Sequence, residues 1–156
     1  KRGRKMGSVI ETNVVCQIGL VVNDVEKTGQ AFADFFGIER PEIADSGPDE
    51  IVKAEVYGER STASCKMMFF DTPTVQIELI EPDEKPSAWR DILNEKGEGL
   101  HHIAFQVKDA EGKIKTLGEK GFPLIQKGNY GNGSGMYAYI DARKDLKLIF
   151  ELLESF

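Results

Sequence analysis

The sequence of 156 residues is short of cysteine, histidine and long apolar runs, and each shortage closes off a class of protein. Two cysteines, Cys16 and Cys65, allow at most one bridge. That is no disulfide framework, so both read as small reduced residues in a fold held by its core. No apolar run approaches the roughly 18–20 residues that span a bilayer, which argues against a membrane partner. Residues 1–6, KRGRKM, lack the apolar stretch of a secretory signal, and the expected compartment is the cytoplasm. Positive charge is outnumbered as well, 20 Lys and Arg against 26 Asp and Glu. The net charge is −6, and Lys1, Arg2, Arg4 and Lys5 gather four positive charges at the start, which leaves −10 on the rest. An acidic body of that kind repels nucleic acid. The basic tail has no aromatic partners and reads as a disordered terminus or an expression remnant. The glycine-rich GNYGNGSG at 128–135 lacks the Lys-Ser/Thr of a phosphate loop and precedes no helix, so it reads as a mobile hairpin free to close over a ligand.

What is present is an internal repeat. VVCQIGLVVNDVEKTGQAFADFFGI from Val14 matches GLHHIAFQVKDAEGKIKTLGEKGF from Gly99 with Gln17 opposite His102. In both, an alternating strand ends at an aspartate, Asp24 or Asp109, able to cap the helix that follows. Each helix ends at a glycine, Gly37 or Gly121, suited to the left-handed position after a helix. FFDTPTVQIELIEP from Phe69 likewise parallels YIDARKDLKLIFELLE from Tyr139, setting Glu78 opposite Glu151 and Glu81 opposite Glu154. Each half reads β-α-β-β-β, with strands near 14–22, 51–58, 64–70 and 74–80, then 100–107, 123–127, 135–140 and 146–153. The Pro- and charge-rich segment between them holds a short helix near 87–94. The expectation is one α+β domain over 13–154, after a tail at 1–12. Modules 14–82 and 99–154, joined by a linker at 83–98, form a curled mixed-sheet cup with helices outside. Trp89 in the linker either plugs the module junction or faces a partner. Phe32, Phe35 and Phe36 fall at helical spacing, which predicts core packing.

Both histidines stand side by side in GLHHIAFQVKD. Neighbours on a strand point to opposite faces, so His101 and His102 are not expected to serve one site. His102 shares a face with Ala104 and Gln106, and His101 falls beside Ile103 and Phe105 on the apolar face that packs against helices. Gln17, Glu78, His102 and Glu151 then interrupt apolar strands on the concave face. A buried glutamate is costly unless paired or bound to a cation. Two of them converging with a histidine and a glutamine point to a divalent metal.

CQIGLVVNDVEKT, VQIELIEP, GEGLHHIAFQVKD and LIFELLE resemble the vicinal oxygen chelate superfamily, over about residues 13–154. The superfamily includes glyoxalase I, methylmalonyl-CoA epimerase and extradiol dioxygenases. The resemblance implies one ligand from each of four equivalent strand positions, here Gln17, Glu78, His102 and Glu151. It also implies a divalent ion (Zn, Ni, Co, Mn or Mg), a cup of the glyoxalase/bleomycin-resistance type and a homodimer. The linker and GEGLHHIAF look most like methylmalonyl-CoA epimerases, whereas the ligand set looks more like the eukaryotic-type glyoxalase I. The two-histidine iron site of extradiol dioxygenases is not matched.

Such a site would chelate two vicinal substrate oxygens and ease removal of a proton from the adjacent carbon through an enediolate. Glu151 is the expected proton carrier, because the resemblance gives the last-strand glutamate a role beyond ligation. Glu55, in IVKAEVYG, is either the second base an epimerase needs or an exposed residue on a sheet edge. The expected activity is metal-dependent epimerisation of an acyl-CoA thioester. A lactoylglutathione lyase acting on a glutathione hemithioacetal and a metal-free small-ligand binding protein are the alternatives. Lys108, Lys113, Lys115, Lys127, Arg143 and Lys144 are scattered cations rather than a cluster for CoA phosphates.

Overall fold

Short alternating segments and two capped amphipathic stretches build a single sheet in the computed structural model, which describes residues 7–156. The basic cluster Lys1, Arg2, Arg4 and Lys5 lies outside the described residues. In chain order the elements are β1 (Gln17–Val21), α1 (Val25–Phe36), β2 (Ala44–Asp45), α2 (Asp49–Val52), β3 (Glu55–Val56) and β4 (Glu59–Arg60). These are followed by β5 (Cys65–Asp71), β6 (Gln76–Pro82), α3 (Ala88–Lys96), β7 (Gly99–Gln106) and α4 (Ala110–Glu119). The chain ends with β8 (Leu124–Asn129), β9 (Gly135–Asp141), α5 (Arg143–Leu146) and β10 (Ile149–Ser155). The sheet runs β2-β5-β6-β1-β7-β10-β9-β8-β3-β4.

The repeat is visible in this order. β1 and β7 meet antiparallel at the centre; β6 lies parallel to β1 on one side, and β10 parallel to β7 on the other. Both helix starts are built alike. Asp24 accepts from Lys27 N at 3.0 Å, and Asp109 from Gly112 N at 3.2 Å. The last strand of each half adds a second carboxylate. Glu81 accepts from Val25 N, and Glu154 from both Asp109 N and Ala110 N. Gly37 and Gly121 follow the two helices at φ of 67° and 91°, conformations that favour glycine.

Helices α1 and α4 cover the convex face. Val25 and Ala33 of α1 pack on Met68, Phe70 and Leu79, and Ala110 of α4 packs with Phe105, Met136 and Leu152. Of the phenylalanines expected in the core, Phe32 meets this layer, but Phe35 is 86% exposed and Phe36 40%. Helix α3 departs from the expected arrangement of helices outside. Its Trp89, Ile92 and Leu93 are buried in a cluster with Cys65, Tyr139 and Ile149, and Trp89 lines the cavity of the cup. Among the described residues no helix is long and apolar enough to cross a membrane.

The strand expected at 51–58 is not there. Residues 51–52 close a helical turn, Lys53 takes a φ of 48°, and β3 and β4 form a tight hairpin around Tyr57 and Gly58. Both turn residues have positive φ, 50° and 82°, as a two-residue hairpin of this hand requires. β3 pairs with β8 of the other half, and β2 takes the vacant place beside β5. Residues 46–54 therefore run from one margin of the sheet to the other, across the cup. The strand expected from residue 14 begins at Gln17, and the one expected from 146 begins at Ile149, after the short helix α5.

Candidate functional site

Four adjacent central strands present a regular series on the concave face: Glu78 from β6, Gln17 from β1, His102 from β7 and Glu151 from β10. Two carboxylates flank an amide and an imidazole, and all four residues are buried. The four converge on His102 Nε2. Gln17 Oε1 lies 3.0 Å from it, Glu151 Oε1 3.7 Å and Glu78 Oε1 3.8 Å. Space for the ring is made by Gly19, which stands between His102 and Glu78 in the ladder. A Cβ on Gly19 would lie 2.0 Å from His102 Cε1.

His101 is not on the helix-packed face. The pairing of β1 with β7 slips between Gly19 and Leu20, with Gly19 opposite His102 and Leu20 opposite Leu100, so His101 is the extra residue of a bulge. The bulge cancels the alternation and turns both rings inward, with their Nδ1 atoms 2.8 Å apart. This contact assigns protons. The Ala88 carbonyl, 3.0 Å from His101 Nε2, can only accept, so that nitrogen carries the hydrogen. Burial lowers the His101 pKa to about 4 and the His102 pKa well below its usual value, which makes both rings neutral. His101 Nδ1 is then bare, His102 Nδ1 donates to it, and His102 Nε2 is left with a lone pair facing the cup.

The amide on the other side is fixed the same way. Gln76 Nε2 donates to Asp71 at 3.0 Å, and Gln76 Oε1 accepts from Gln17 Nε2 at 2.7 Å. Gln17 Oε1 must therefore point at His102. Two lone pairs face each other at 3.0 Å beside two carboxylates. Among the described residues neither Glu78 nor Glu151 has a lysine or arginine partner; the basic side chain beside each is His102. Burial raises the Glu78 pKa to about 8. Burial, then the charge of Glu78, raises that of Glu151 well above the carboxylate range. Four acceptors aimed at one point need a positive occupant, either protons or a cation.

The donor set fits a divalent ion. Ligands at about 2.1 Å in octahedral geometry stand about 3.0 Å apart when adjacent and about 4.2 Å when opposite. The distances of 3.0, 3.7 and 3.8 Å fall within that span. Among the described residues no group of three His, Cys, Asp or Glu side chains forms a ready ligand cluster. The fourth donor, Gln17, is an amide and falls outside those residue types.

A cavity of about 670 Å³ opens beside Glu78 and Glu151, lined also by Met67, Phe69, Trp89 and Tyr137. The Trp89 indole donates to the Tyr139 hydroxyl at 2.8 Å, and that hydroxyl favours the ionised form of Glu151 against the effect of burial. Tyr139 sits opposite Glu151 in the ladder as Phe69 sits opposite Glu78, so only Glu151 gains a phenol. Glu55 does not reach the cup. The hairpin carries it to the outer margin of the sheet, where Lys127 lies 3.5 Å away beside a second, smaller cavity. His101 was expected only to pack or hydrogen-bond near the site, and Gln76 and Tyr139 were not singled out from sequence as its partners. The His-His doublet was the available signal for the first, and the Phe69/Tyr139 repeat for the last.

A family model described as Glyoxalase/Bleomycin resistance protein/Dioxygenase superfamily matches residues 16–139. The chain is 33% identical over 87 residues to the uncharacterized protein YqjC of Bacillus subtilis (strain 168), an alignment covering 55% of this chain and 62% of that protein. Among solved structures, methylmalonyl-CoA epimerase from Mycobacterium tuberculosis superposes with a TM-score of 0.66 at 18% identity, covering 99% of this chain and 95% of that one. A Streptomyces coelicolor methylmalonyl-CoA epimerase variant in complex with 2-nitronate-propionyl-CoA gives 0.63 at 21%, covering 90% and 96%. At these identities the likeness is one of fold.

Proposed function

We infer that this chain, which belongs to the Glyoxalase/Bleomycin resistance protein/Dioxygenase superfamily, is an isomerase or lyase that moves a proton on the carbon next to a carbonyl. In this reading Gln17, Glu78, His102 and Glu151 hold a divalent ion, which when bound supplies Lewis acidity toward a substrate's vicinal oxygens. The observation that carries it is the convergence of His102 Nε2 and Gln17 Oε1, 3.0 Å apart, between two buried carboxylates. A cup that merely sequestered a ligand would have no use for that arrangement.

The protein's own groups divide the remaining work. Glu151 accepts the proton, and the Tyr139 hydroxyl, held by Trp89, favours the ionised carboxylate that does so. His101 holds the tautomer of His102 from behind, as a carbonyl or carboxylate does for many ligand histidines. Glu78 enters from the opposite side of the series and takes the second-base role expected of Glu55. A proton can then leave on one face and return on the other, or return on the face it left.

The test joins metal analysis to proton exchange. Purified protein should carry or take up close to one divalent ion per chain. In D₂O it should exchange deuterium into the carbon next to the carbonyl of one of methylmalonyl-CoA, a glutathione hemithioacetal or an uncharged α-hydroxyketone. Glu151→Gln should retain most of the metal while exchange falls on the order of 100-fold or more, because an amide offers an oxygen but takes no proton. No metal uptake, together with no exchange in any of the three, would overturn the reading.

A further inference from the structure

The wall of the cup carries no lysine or arginine among the described residues; its charged groups are Asp45, Glu78 and Glu151. We propose that the substrate bears no anionic group beyond the pair of oxygens it offers to the site: an uncharged α-hydroxycarbonyl compound with a planar or apolar body, enclosed without a phosphate or a second carboxylate. This rests on the reading of the site as a cation-assisted proton-transfer centre and deepens it.

Charge carries the inference first. Two carboxylates already balance a divalent ion, and Asp45 adds a negative charge at the rim, so the loaded cup has no positive charge to spare. A phosphate or free carboxylate drawn into it would lose water and gain no partner. Three of the cations considered from sequence are paired away from the cavity. Lys127 pairs with Glu55 and Glu111, Arg143 with Asp141 and Glu95, and Lys113 with Glu11. None of Lys108, Lys113, Lys115, Lys127, Arg143 and Lys144 lines the cavity.

The shape and hydrogen bonding of the wall agree. Met67, Phe69, Trp89, Tyr130, Tyr137 and Leu153 give the cavity an apolar and aromatic lining. Its volume of about 670 Å³ is in the range that encloses one small metabolite. Tyr137 is built to read an uncharged acceptor. Gln126 Oε1 accepts from Ala88 N at 2.8 Å, which orients its amide so that Nε2 donates to the Tyr137 hydroxyl at 2.9 Å. The phenol's own hydrogen is left for a carbonyl, ether or amide oxygen of the ligand. Burial raises its pKa, which keeps that hydrogen in place.

The probes are 4-carbamoylbenzohydroxamic acid and 4-carboxybenzohydroxamic acid, which share a chelating head and a size and differ in tail charge. Calorimetric titration of the zinc-loaded protein should show the carbamoyl compound binding at least tenfold more tightly. Gln106→Lys, which places a cation at an exposed position on the cavity wall, should shrink that ratio severalfold. Equal or tighter binding of the carboxylate by the unmodified protein overturns the proposal, as does failure of both probes to bind zinc-loaded protein. Failure of the protein to take up any zinc sinks the metal reading instead. The same ratio measured on metal-free protein then judges the proposal alone: a preference for the carbamoyl compound upholds it, and no preference or no binding overturns it.

Discussion

At the scale of single residues, the hydrogen that Gly19 carries in place of a side chain does as much for the site as the polar groups around it. The His102 ring occupies the volume a Cβ would take, with Cε1 2.0 Å from that position. Real non-bonded carbons do not approach so closely, so Gly19→Ala must push the ring out of line with Gln17, Glu78 and Glu151. We expect at least a tenfold loss of metal affinity by competition with a chelating dye. A fall in stability of about 1–3 kcal/mol in urea, the usual cost of overfilling a packed core, should accompany it. Unchanged affinity would place the ring elsewhere. The sequence made the four converging side chains legible because the repeat sets Gln17 against His102 and Glu78 against Glu151. It hid His101, because alternation assigns a residue's face only while the ladder keeps register, and one extra residue at His101 reverses it. Glu55 was misplaced for a related reason, since its pattern fits a long strand as well as a two-residue hairpin.

At the scale of elements, the repeated Glu-Leu-(Ile/Leu)-Glu ending does two jobs with two-faced spacing. The first glutamate, Glu78 or Glu151, faces the cup, and the second, Glu81 or Glu154, caps the helix packed behind. The second pair makes a graded prediction. Glu154 accepts two backbone N–H groups of α4, whereas Glu81 accepts one of α1 and shares its charge with Lys66 at 3.7 Å. Glu154→Ala should therefore destabilise by about 1–2 kcal/mol in urea and Glu81→Ala by about half as much, both within the usual range for a lost cap. The α4 amides at Asp109 and Ala110 should lose hydrogen-exchange protection in the first variant and keep it in the second. A larger effect at Glu81 would reverse the ranking. Helix boundaries were readable from Asp24, Asp109, Gly37 and Gly121 because caps are local chemistry. The crossing of residues 46–54 was not, since β3 finds its partner β8 about 70 residues away and no local pattern names it.

At the scale of the whole molecule, the buried acids and histidines make stability depend on pH in opposite senses. Glu78, and Glu151 with it, hold their protons more tightly folded than unfolded, so their contribution is complete below about pH 4.3 and is lost as pH rises, for Glu78 through about 8. His101 behaves inversely, contributing above its unfolded value of about 6.5 and losing that contribution as pH falls toward about 4. Between about 4.5 and 6.5 the two trends oppose each other. From 6.5 to 8 only the carboxylates act, and the metal-free protein should lose stability with a slope of about 1.4 kcal/mol per pH unit for each proton released. A bound divalent ion takes the place of those protons, so adding one should flatten or reverse the slope in urea titrations at pH 6.5, 7.2 and 8. A slope indifferent to metal would show that the two carboxylates do not hold it. The central seam carries a further consequence. Gln17 and Glu78 come from one half of the chain, His102 and Glu151 from the other, and they meet only where β1 zips against β7. Neither half possesses the constellation, and no local refolding can assemble it. Occupancy of the four donors therefore works as a coincidence detector, registering only molecules in which both halves have closed on each other.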